Sequence, residues 1–128
     1  MGTCVTMEFY DVEIPKDKIP QAAQILTDMD TRIYSWIRQR YSRTGDIRQM
    51  LREWRYETEY DVNSNIVITE FTGEKIGDDD LLWRALAPCL KNWSFITLDM
   101  EGEHYKWEFD NGQMRKYIGG IVYDQEIY

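Results

Sequence analysis

Between Ser94 and Tyr123 the chain alternates apolar and polar residues in runs separated by two tight turns, the pattern of an antiparallel β-meander. In Ser94–Met100, Ile96, Leu98 and Met100 share one face, and Phe95, Thr97 and Asp99 share the other. After Glu101-Gly102-Glu103, the run from Tyr105 to Phe109 alternates again with its aromatics on one face. Asp110-Asn111-Gly112-Gln113 follows, and Asn-Gly between alternating runs predicts a type I′ hairpin, which needs two consecutive residues at positive φ. With Gly102-Glu103 as a two-residue loop, Met100 faces Tyr105, Leu98 faces Trp107 and Ile96 faces Phe109, which in turn faces Met114. Asp99 then meets Lys106 and Glu108 meets Arg115, both as opposite-charge cross-strand pairs. A two-residue shift at the first turn keeps every face and changes the partners, so the pattern dictates faces more strictly than register.

The rest of the chain supplies layers for this sheet. Thr3 to Ile14 reads as a strand whose parity changes near Tyr10, so that either a bulge corrects it or both faces are covered there, and Pro15 ends it. Pro20 suits the first turn of a helix, where its missing N–H is no loss. Ala22, Ile25, Leu26, Met29, Ile33, Trp36, Ile37 and Tyr41 then recur at helical spacing, with a break allowed at Thr27 to Thr31. A second helix begins near Asp46 with Ile47, Met50, Leu51 and Trp54 as its apolar stripe. Tyr56 to Val62 alternates strictly, placing Tyr56, Thr58, Tyr60 and Val62 inward, and Ile66 to Phe71 is β-branched enough for a central strand. Asp78 is the expected N-cap of a third helix, with Asp79 and Asp80 in its first turn and an end near Leu86 imposed by Pro88. Gly119-Gly120 reads as a bulge before a last strand at Ile121 to Tyr123. The predicted fold is α+β: one domain over 1–128, a mostly antiparallel sheet with a C-terminal meander, and two to three helices packed on one face.

Charge is distributed unevenly. Arg32, Arg38, Arg40, Arg43, Arg48, Arg52 and Arg55 against Asp46 and Glu53 give the segment 32–55 a net charge of +5, leaving −13 for the rest of a chain whose total is −8. That acidity disfavours direct binding to nucleic acid or to an anionic membrane. No apolar run approaches the roughly 20 residues that span a bilayer, and the first residues do not resemble a secretory signal, so a cytoplasmic location is expected. Cys4 and Cys89 make no disulfide framework.

Catalytic and metal chemistry find little to work with. His104 is the sole histidine, beside a turn, and one His with two distant Cys has no zinc-binding spacing. There is no phosphate-binding glycine loop and no nucleophile elbow, and the pairs Glu57/Glu59 and Glu101/Glu103 do not stand out among 23 acids. The expectation is therefore a protein that is not an enzyme and uses no cofactor and no metal. Trp36, Trp54 and Trp107 lie on core stripes, whereas Trp83 and Trp93 do not and are candidate anchors for a partner. Glu57, Glu59 and Asp61 on one strand face, with Asp78, Asp79 and Asp80, form a candidate acidic contact surface spaced roughly like successive phosphates, about 6.6–7 Å apart. The competing reading is that these acids neutralise Arg48, Arg52 and Arg55 within the same molecule.

Leu82-Trp83, Ala87-Pro88, Trp93-Ser94-Phe95-Ile96 and Gly102 to Gly112 carry a resemblance to small uncharacterised proteins of phages and plasmids of gut-type bacteria. In those proteins a helix ending in Ala-Pro leads into a glycine-serine-tyrosine-isoleucine strand, a tight turn and an aromatic strand. Here Asn92-Trp93 stands where an acidic residue and glycine are the pattern. The resemblance implies a mobile-element origin and carries no catalytic residues. In size and acidity the chain is also similar to anti-CRISPR and other anti-defence inhibitors. Together these suggest an acidic inhibitor that covers the nucleic-acid-binding surface of a host defence protein such as a CRISPR nuclease, its partner being a protein with a basic surface. The alternative is a small-ligand or nucleotide-binding module using the arginine-rich helices.

Overall fold

The computed structural model describes residues 4–29, 46–100 and 102–119, together with the backbone of 125–126. The chain forms β1 (Val5–Tyr10), β2 (Glu13–Ile14), α1 (Ile19–Asp28), α2 (Ile47–Glu53), β3 (Tyr56–Tyr60), β4 (Ile66–Phe71), α3 (Asp79–Leu86), β5 (Ser94–Met100), β6 (Glu103–Asp110), β7 (Gln113–Gly119) and β8 (Gln125–Glu126). This is an α+β fold with two antiparallel sheets, ordered β1-β5-β6-β7-β8 and β2-β4-β3. The first predicted strand is the hinge between them. Asp11 adopts φ +57 after Tyr10, so β1 ends in the large sheet and β2 begins in the small one. The parity change in the sequence marks this transfer.

The meander has the predicted faces and a shifted first register. Met100 pairs with Glu103, Leu98 with Tyr105 and Ile96 with Trp107, each partner two residues from the expected one. Asp99 consequently opposes His104 rather than Lys106, and Thr97 takes Lys106. The second turn is as expected: Asn111 at φ +52 and Gly112 at φ +75 complete a type I′ geometry, with Phe109 opposite Met114 and Glu108 opposite Arg115. The expected bulge at Gly119-Gly120, the strand at 121–123 and the helical stripe Ile33, Trp36, Ile37 and Tyr41 lie wholly or partly outside the described residues.

α1 stops at Asp28, within the segment rich in poor helix formers, and Met29 is extended. α1 touches α2 and α3, α2 lies against β3, and α3 meets β7. α2 starts at Asp46, whose carboxylate accepts the Arg48 N–H at 3.0 Å. With seven residues it is about 10 Å long. A strand advances about 3.3 Å per residue, so this helix shields only the first part of β3. Tyr56 and Thr58 are buried as expected, but Tyr60 and Val62 are exposed, which corrects the strict inward alternation.

One hydrophobic cluster runs through both sheets and all three helices. Its centre is aromatic. Tyr56 meets Phe9 and Trp83 edge-on at 6.1 and 5.0 Å between ring centroids, and Phe71 at 5.1 Å. Trp83 in turn lies 6.1 Å from Phe109. Strands of both sheets and α3 thus meet around two rings, in the offset and edge-on geometries that aromatic pairs prefer.

Candidate functional site

The solvent side of the small sheet is acidic for a reason visible in its pairing. Burial of Tyr56 and Thr58 turns Glu57 and Glu59 outward on β3. Glu59 opposes Val67, and Val67 opposes Glu13 on β2, giving a row with a carboxylate at each end. Glu57 opposes Glu70, and Thr69 is an extra residue in β4 whose hydroxyl donates to the Glu57 carbonyl at 3.2 Å. Like charges directly opposite in a sheet cost about 0.2–1 kcal/mol. Arg52 offsets part of this, with its Nε 3.4 Å from the Glu57 carboxylate.

The other predicted contact residues divide. Asp61 folds its carboxylate into the loop after β3, accepting the Asn63 and Asn65 N–H groups at 2.8 and 3.0 Å and the Asn65 side-chain amide at 3.1 Å. The Asn65 backbone N–H, with the Asn65 amide and the Asn63 N–H behind it, holds the Asp61 carboxyl below its ordinary range against a smaller opposing effect of desolvation. Asp61 therefore shapes a turn and does not extend the row. Asp78 is exposed and occupies the N-cap position of α3 as expected, although its side chain makes no cap hydrogen bond. Asp79 is fully buried and cannot be a surface contact. Its carboxylate accepts the Tyr56 hydroxyl at 2.7 Å, the Gly77 N–H at 2.8 Å and the Arg55 guanidinium at 3.3 Å. Asp80 pairs with Lys116 at 2.8 Å.

Trp83 is also fully buried, because the helix turns it into the aromatic centre, so its role as an exposed anchor is overturned. Trp93 is the opposite case. It is 72% exposed and sits at φ +67. A left-handed conformation costs a residue with a Cβ about 1–2 kcal/mol, and glycine is the usual occupant.

Of the arginines in the segment 32–55, Arg48, Arg52 and Arg55 fall among the described residues and make contacts within the fold. Arg48 donates to the Thr58 hydroxyl and carbonyl at 3.0 and 2.8 Å and stacks over Tyr60 at 5.3 Å. Arg55 bonds the Lys75 carbonyl at 2.9 Å and stacks over Phe71 at 5.1 Å, besides its bond to Asp79. Arg32, Arg38, Arg40 and Arg43 lie outside the described residues.

His104 pairs across the strand with Asp99, both about half exposed. A cleft of about 340 Å³ opens elsewhere, lined by Leu98, Met100, Tyr105 and Trp107 with Ile76 and Gly77, and by the paired Asp80 and Lys116. Among the described residues, neither His104 nor an arginine lines it. Among the described residues no group of His, Cys, Asp and Glu is arranged to hold a metal ion, and no helix is long and apolar enough to cross a membrane. No protein-family model, curated protein or solved structure matches the chain.

Proposed function

We propose that the protein is a non-enzymatic acidic inhibitor of mobile-element type, which docks the outer face of its small sheet on a basic surface where a host defence protein binds nucleic acid. The observation that carries this reading is the opposition of Glu57 to Glu70, with Glu59 alongside on the same face. A like-charge pair across an exposed sheet weakens the fold, and a cationic partner surface turns the same carboxylates into an asset. The row along β3 keeps the repeat of an extended strand, close to that of a phosphate backbone. Arg48, Arg52 and Arg55 spend their hydrogen bonds inside the molecule, which counts against the alternative of a nucleotide site built on them.

The test uses a purified RNA-guided DNA nuclease without its guide as the basic partner. Calorimetry should show binding by the wild type that weakens as salt rises from low to physiological, and DNA cleavage should be inhibited. Glu57→Lys combined with Glu59→Lys should abolish both. If that variant loses melting temperature but keeps its affinity, the carboxylates serve only Arg52 and the fold. Binding that is insensitive to salt would also sink the reading.

A further inference from the structure

We propose that Trp93 is the apolar anchor of this complex, its indole entering a pocket on the basic partner beside the acidic sheet face; the inference rests on the docking reading above. A bulky aromatic at φ +67 is a true conformational outlier, at a position where glycine or asparagine is at ease. The fold does not enclose the ring in exchange, since the residue is 72% exposed whereas Trp54 and Trp83 are wholly buried. Strain of this kind, held on the surface, points to a role outside the molecule.

The position adjoins the small sheet at its β2 edge. Lys91 donates its N–H to the Glu13 carbonyl at 3.1 Å, and its Nζ lies 3.7 Å from the Glu13 carboxylate. The chain therefore runs along the free edge of β2, and Trp93 follows within about 7 Å of chain. On its other side, Phe95 stacks on the exposed Tyr10 at 4.5 Å, extending the aromatic surface where the two sheets meet. The backbone N–H of Trp93 donates to the Phe109 carbonyl at 2.9 Å, so the end of β6 holds the backbone that carries the indole. The matching partner surface is an apolar slot bordered by Lys and Arg. Charges would steer the approach, and the buried indole would slow dissociation.

Trp93→Asn and Trp93→Gly separate this role from a structural one. Both variants should melt at or above the wild-type temperature, because the strain is relieved. Both should bind the guide-free nuclease roughly 30-fold or more weakly through faster dissociation, with the salt dependence of association unchanged. A melting temperature lower by more than about 5 °C in both variants would mean that the indole supports the fold, and would overturn the proposal. Unchanged affinity in the variants overturns the anchor and leaves the acidic-face reading standing. Absence of binding by the wild type overturns both.

Discussion

At the scale of single residues, the buried carboxylate of Asp79 decides most. It satisfies the Tyr56 hydroxyl, the Gly77 N–H and the Arg55 guanidinium together, joining the start of α3 to the start of β3. Asp79→Ala should cost about 3–5 kcal/mol in urea denaturation, because it strands buried polar partners. Tyr56→Phe keeps the ring packing and should cost about 2 kcal/mol, the value of one hydrogen bond to a charged group. Burial first, and then the Asp79 charge, pushes the Tyr56 hydroxyl well above its ordinary value. Folding therefore favours the protonated phenol. This contribution is fully present below the unfolded value near 10, and it is lost as pH rises from there towards the folded value. Alkaline titration of the wild type should show the loss, and Tyr56→Phe should remove that part of it. Asp61 has the opposite sign. Its carboxyl is depressed, so its contribution is present above the unfolded value near 4 and disappears as pH falls through the folded one. Acidification and Asp61→Asn should both lower the hydrogen-exchange protection factors of the Asn63 and Asn65 amides, each taken relative to the intrinsic rate at its own pH.

Two glycines test the elements separately. Gly112 needs φ +75 for the β6–β7 turn, and an added Cβ would meet only ordinary contact with Pro88 at 3.6 Å. Gly112→Ala should therefore cost about 1–2 kcal/mol through the backbone, and Gly112→Asn less, because asparagine tolerates the left-handed region. At Gly73 a Cβ would stand 2.7 Å from Phe71 Cζ and 2.9 Å from Arg55 Nη1, crowding the guanidinium that serves Asp79. There the larger Asn should be worse than Ala. Thermal denaturation of the four variants should give these opposite orders. The first meander turn shows why register was harder to read than faces. Alternation specifies only parity, and both alignments satisfy it. The observed pairing sets Asp99 against His104 and Thr97 against Lys106, whose ammonium lies 5.4 Å from the Phe95 ring and 5.0 Å from the Tyr117 ring. Those contacts come from residues far apart along the chain.

For the whole molecule, the net charge of −8 gives salt two opposite effects. Added salt should raise the melting temperature by screening repulsion among the acids, while it weakens binding to a basic partner. Scanning calorimetry and titration calorimetry over one salt series would check both signs. Much was determined locally. Period and turn chemistry sufficed for the α+β class, the Asn111-Gly112 hairpin, the start of the second helix near Asp46, the end of α3 and the outward placement of Glu57 and Glu59. These depend on neighbours within a few positions, so a linear reading captures them. The division into two sheets appeared in the sequence only as a parity fault near Tyr10. It took the transfer of the strand at Asp11 to give that fault a meaning. Asp79 and Trp83 read as surface residues because a short helix with three leading aspartates has its dipole partners in the right place for solvent. Their burial follows from Tyr56 and Arg55, more than twenty positions away, which meet them only when the two sheets close around α3. Local periodicity says which side of an element is apolar. Only tertiary packing decides which polar groups are taken inside to meet one another, and which tryptophan is left out.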